Sequence, residues 1–138
     1  MHLMADISDR RDVLLLWNTF LKLTAIAIPC QKCQKHMHEY WSQVRFIPRD
    51  WEKLSAEQTR TVIRSRIHEF HNAVSARLGK PTPALAPLAP LAAALDRAAI
   101  CSQIRAIFES LKAEWQAVHV DWKRSTTVLI QLLCCGPM

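Results

Sequence analysis

Apolar side chains recur along this chain at helical rather than strand spacing. Between residues 10 and 28, Val13, Leu16, Trp17, Phe20, Thr24 and Ala27 mark one face, while Leu14, Leu15, Leu21 and Leu23 crowd the others. A helix that is apolar on nearly every side buries more than one of them. This segment is therefore expected to pack on its own core and, through residues 12–28, on a second copy or a helical partner. Pro29 cannot continue it. A second helix is expected from Cys30 to Val44, with Cys33, Met37, Tyr40 and Val44 on one face. Residues 46–54 read as a connection. Ser55 and Gln58 then form a capping box that opens a third helix. Its stripe is Ile63, Ile67, Phe70, Val74 and Leu78, and Gly79 stands where a helix-ending glycine belongs.

Four prolines between residues 81 and 90 predict an extended connector. Beyond it, Ile100, Ile104, Ile107, Leu111, Trp115, Val118 and Trp122 recur at spacings of three and four. That pattern predicts one long helix of coiled-coil character, followed by an apolar tail at 128–133. The expected fold is an all-α bundle of four or five helices with a long C-terminal helix. Residues 1–81 would form the core and 82–90 the connector. Residues 91–138 would pack on that core or on a partner.

Composition agrees with helices, since half of the 138 residues are hydrophobic and only two are glycine. The length suits one domain. The formal charge of +6 invites an acidic partner, yet no basic run exceeds two residues, so a nucleic-acid surface is not expected. The apolar stretch Val13 to Ile28 is opened by Asp12 and interrupted by Asn18 and Lys22. It falls short of the ~20 mostly apolar residues of a membrane span, and no small-x-small cleavage site precedes Cys30. A cytoplasmic or virion location without a membrane span is the expectation.

Five cysteines do not make the even framework of a small disulfide-stapled domain. Cys30 and Cys33 form a Cys-x-x-Cys at the expected start of a helix. Free N–H groups and the positive end of the helix dipole favour a thiolate there, and Lys32, Lys35 and His36 add positive charge. An inert pair is one alternative. Zinc is another, with Cys30, Cys33, His36 and His38 as ligands, although structural zinc usually takes two pairs separated by a loop. Adjacent Cys134 and Cys135 would close a strained, easily reduced ring. They read as a packed terminal pair, with a mobile redox shuttle as the alternative.

Behind the Cys-x-x-Cys comes His71-Asn72-Ala73-Val74-Ser75-Ala76-Arg77-Leu78-Gly79-Lys80-Pro81. Together the two motifs resemble the flavin-dependent sulfhydryl oxidases of the Erv/ALR family, over residues 10–81. The resemblance implies non-covalent FAD, oxidation of a thiol-containing protein substrate to a disulfide, and reduction of oxygen to hydrogen peroxide. It implies Cys33 against the flavin ring and Cys30 as the exchange thiol, with Tyr40 on the same inward face as Cys33. His71 and Asn72 would contact the nucleotide part and Lys80 would approach the phosphates. Ser75 stands where the family usually has a second Asn, and His68 would line the edge of the site. His71, sharing a stripe with Ile67, Val74 and Leu78, is expected to point inward.

The chain departs from the family in one respect. The family's first helix carries Trp-x-x-x-His, a pattern found here only at Trp115 to His119. Either the fourth helix folds back to complete the flavin wall or it serves packing alone. In the second case the chain would be a non-enzymatic helical structural or assembly protein, such as a virion component, on a degenerate oxidase scaffold.

Overall fold

The computed structural model describes residues 1, 4, 5, 7, 8, 10–82, 96–114 and 120–134. These form an all-α arrangement without strands: α1 (Val13–Ala27), α2 (Gln31–Gln43), α3 (Ala56–Arg77), α4 (Arg97–Glu114) and α5 (Val120–Cys134), with a short 3-10 turn at Trp51–Lys53. Among the described residues no helix is long and apolar enough to cross a membrane.

α1 is the central element, packed on α2 and along α5. Val13, Leu14, Trp17, Phe20, Leu21, Thr24, Ala25 and Ala27 are all buried. The nearly all-round apolar character of this helix is thus mostly satisfied inside the chain. Leu15, Thr19, Lys22 and Ile26 form its exposed edge, and Leu14 lies in the core rather than on a partner-facing side. Trp17 Nε1 donates to Ser8 Oγ at 2.9 Å, and Ser8 donates to the Met4 carbonyl at 2.7 Å. Its ring meets Phe20 at 5.6 Å and Phe46 at 6.2 Å. The expected connection between α2 and α3 is therefore anchored to the core by Phe46. On the α5 side, Trp122 Nε1 donates to Thr24 Oγ1 at 3.0 Å.

In place of one long C-terminal helix there are two antiparallel ones, α4 and α5, on either side of residues 115–119, which lie outside the described set. The register follows from their ends. Cys101, near the start of α4, is disulfide-bonded to Cys134, the last residue of α5, with Cα atoms 5.7 Å apart. Arg97 donates to the Leu133 carbonyl at 2.6 Å, and Phe108 meets Trp122 at 5.6 Å. A heptad-like stripe needs an apolar neighbour, and folding back lets α5 provide it for α4. The inward positions are Ile100, Ile104 and Phe108, whereas Ile107 is turned out and 55% exposed. Of the two terminal cysteines, which were expected to be a packed pair, Cys134 is thus bonded to Cys101 in α4; Cys135 lies outside the described residues.

α3 is closed at both ends by its own sequence. The Gln58 N–H donates to Ser55 Oγ at 3.1 Å, and the Ser55 N–H donates to Gln58 Oε1 at 2.9 Å. At the far end Gly79 adopts φ +69°. Its N–H donates to the Ala76 carbonyl at 3.1 Å, while the Lys80 N–H donates to the Ser75 carbonyl at 2.8 Å, a Schellman closure. Ser55→Ala and Gly79→Ala are each expected to cost about 1 kcal/mol, the first through a lost cap and the second through left-handed backbone strain. At opposite ends of a 22-residue helix the two costs should add in urea denaturation of the double variant.

Candidate functional site

The Cys-x-x-Cys sits at the corner where α1 gives way to α2. Pro29 leaves the last carbonyls of α1 without helical donors, and Gln34 of α2 supplies them: its Nε2 donates to Ile26 O at 3.0 Å and Ile28 O at 2.7 Å. The corner is thereby tied from both sides. Cys30 is the N-cap of α2, with extended backbone, and its Sγ accepts the Cys33 N–H at 3.2 Å. Cys30 and Cys33 are disulfide-bonded, with Cα atoms 5.2 Å apart. The sulfur of Cys30 thus lies at the helix end whose free N–H groups favour negative charge. On the next turns Lys35 and His36 both approach the Glu39 carboxylate, at 3.9 and 3.8 Å.

A cleft of about 450 Å3 opens beside Cys33. From α2 it is lined by Cys33, His36, Met37 and Tyr40, and from α3 by Phe70, Ala73, Val74 and Arg77, with Thr24 of α1 and the C-cap Ile28 behind. In both α2 and α3 the lining positions repeat as i, i+3, i+4 and i+7, which puts each set on one helical face. The Phe70 ring is held by Tyr40 at 5.2 Å and Trp41 at 5.1 Å. The walls are apolar and aromatic, and His36, Arg77 and the Tyr40 hydroxyl supply the main polar groups. Cys30 does not border this cleft.

Burial pushes the Tyr40 phenol above its ordinary value; the negative charge of Glu69 adds to that shift and Arg66 partly opposes it. Tyr40 is the only tyrosine in the chain, so its phenolate absorbance can be titrated without overlap from another. The midpoint should fall above 10.0 in the native protein. Since the unfolded chain loses this proton first, Tyr40 should make the fold less stable as pH rises above 10.0.

The residues expected to wall a flavin are distributed differently from the expectation. Cys33 and Tyr40 border the cleft. His71 does not and is exposed, as is Lys80. His68 is the inward histidine, 7% exposed, and accepts at Nε2 from the Asn72 amide at 3.1 Å. Ser75 is buried, and its carbonyl serves the helix closure. The face of α3 that meets the cleft is that of Phe70, Ala73, Val74 and Arg77, and neither His68 nor His71 belongs to it. The residues that sequence reasoning passed over as site residues are His36, Phe70, Val74 and Arg77, and Trp115 to His119 lie outside the described set.

Among the described residues no three His, Cys, Asp or Glu side chains come together as a metal site, so His36 and His38 do not join the cysteines. A wider hollow of about 850 Å3 lies near the starts of α1 and α3. It is lined by Arg10, Arg11, Asp12 and Glu52 among others, without a thiol or histidine. Arg10 pairs with Asp12 at 2.6 Å and Arg11 donates to the Glu52 carbonyl. Comparison with protein-family models, with curated proteins and with solved structures gives no match. The class of site is therefore defined by its geometry: a helix-capping disulfide with one sulfur-bearing residue on an apolar, aromatic-walled cleft.

Proposed function

We propose that the protein is a flavin-dependent thiol oxidase whose redox centre is Cys30–Cys33. The observation that carries this reading is the asymmetry of the pair: Cys33 borders the cleft and Cys30 caps the helix outside it. A substrate thiolate attacks Cys30 Sγ, the Cys30–Cys33 bond breaks, and Cys33 leaves as a thiolate. The second substrate thiol then displaces Cys30, so the substrate gains a disulfide and the protein holds the two electrons as a dithiol. Protein side chains have no route for passing two electrons to oxygen; a flavin, when bound, supplies one and yields hydrogen peroxide.

The cleft fits such a group. Its volume lies within the ~300–1,000 Å3 of small-molecule sites. Met37, Tyr40 and Phe70 offer surfaces for a flat ring, and Arg77 offers a cation for a phosphate. Cys33 would stand against the ring, and His68 with Asn72 would stiffen α3 behind it. Val74→Trp, which fills the cleft, should abolish flavin retention and oxygen consumption while dithiothreitol still reduces Cys30–Cys33. His71→Ala should leave flavin occupancy unchanged. Retention of flavin by Val74→Trp at the wild-type level, with helix content preserved, would remove the cleft from the account.

A second reading is a non-enzymatic assembly protein, favoured by Leu15 and Ile26, which are 48% and 60% exposed on one edge of α1. That edge would carry a homodimer or helical partner contact, and Leu15→Glu with Ile26→Glu should then reduce the sedimenting mass.

A further inference from the structure

Thr24 borders two hollows, the Cys33 cleft and a smaller one of about 120 Å3 between α1, α4 and α5. The smaller hollow is walled by Phe20 of α1, Ile104, Phe108 and Leu111 of α4, and Trp122 and Ile130 of α5. Ile107 also borders it and is exposed, so it reaches the surface there. Met1 and Met4 border it as well, and among the described residues no Asp, Glu, Lys, Arg or His side chain does.

One polar group in its wall is unaccounted for. Thr126 is 3% exposed and its hydroxyl has no hydrogen-bond partner among the described residues. Four helical threonines donate to the carbonyl four residues back, Thr19 to Leu15, Thr24 to Phe20, Thr61 to Glu57 and Thr127 to Lys123, while the hydroxyls of Thr59 and Thr126 are unpartnered among the described residues. Of these two, Thr126 borders the hollow. A buried hydroxyl left unpaired costs stability. The other hydroxyl in the wall, that of Thr24, is already engaged: it donates to the Phe20 carbonyl and accepts from Trp122.

We infer that this hollow is a binding site for a small aromatic molecule carrying one hydrogen-bonding oxygen, a ligand of the phenol type. Size, wall and polarity agree on it. An apolar cavity of ~150 Å3 holds benzene, and this hollow of about 120 Å3, open at one side, is of the same order, the size of a single ring. Phe108 and Trp122 already meet at 5.6 Å and 58°, the tilted arrangement that aromatic rings favour, and a third ring extends the cluster. The ligand oxygen pairs with Thr126, the unsatisfied group. This site does not depend on the redox reading.

The test is titration calorimetry of the full chain with phenol and, separately, benzene. Phenol should bind saturably at one site and about five- to tenfold more tightly than benzene, the range expected of one net hydrogen bond. Thr126→Val keeps the shape and removes the hydroxyl; it should retain benzene binding and bring the two affinities within about twofold. Ile104→Phe should fill the hollow and abolish both while circular dichroism keeps the same helix content. If that variant does not fold, the Thr126→Val comparison decides alone. No saturable heat with phenol, or an undiminished phenol preference in Thr126→Val, overturns the inference.

Discussion

Cys33→Ser should reduce dithiothreitol-driven oxygen consumption to the uncatalysed background, a loss of at least about a hundredfold, while added FAD is still retained. The disulfide that accepts substrate electrons is gone in this variant, yet the walls that hold the ring, Met37, Tyr40 and Phe70, are untouched. Cys30→Ser should stop turnover equally, but it leaves a thiol on the cleft. The two variants therefore separate by spectrum: only Cys30→Ser keeps a Cys33 able to perturb the bound flavin. Oxygen consumption at the wild-type rate in Cys33→Ser would remove the thiol pair from the mechanism.

Trp17→Ala should destabilise the fold by about 3–5 kcal/mol, as deletion of a fully buried aromatic side chain does. Trp17 has no exposed surface, contacts Phe20 and Phe46, and holds the Ser8 hydroxyl. Against a total stability of about 5–15 kcal/mol, that loss approaches unfolding. Leu15→Ala on the same helix should change stability by less than about 0.5 kcal/mol, because Leu15 is 48% exposed. Chemical denaturation of both variants measures the contrast. Similar midpoints would mean that α1 is not the central element.

The local boundaries were legible in the sequence because each is written in a few adjacent residues. Pro29 ends α1, Ser55 and Gln58 open α3, and Gly79 closes it. The inward faces of α2 and α3 at Cys33, Met37, Tyr40, Phe70 and Val74 were legible from helical spacing. What spacing could not give is that these two faces meet and leave an open cleft between them. Nor could it give that His68 is buried and His71 exposed, since periodicity names a face but not how far its cover extends along the helix. The Cys101–Cys134 bridge was equally hidden. Its partners are 33 residues apart, and only the antiparallel return of α5 brings them together. A three-and-four stripe reads the same in one long helix or in a folded pair.

The absorption spectrum of the purified protein, incubated with FAD and freed of unbound cofactor, tests the central claim most directly. The account predicts a stoichiometric flavin band that bleaches when dithiothreitol is added without oxygen and returns when air is admitted. A colourless protein, or a bound flavin that stays oxidised while Cys30 and Cys33 are reduced, would contradict it.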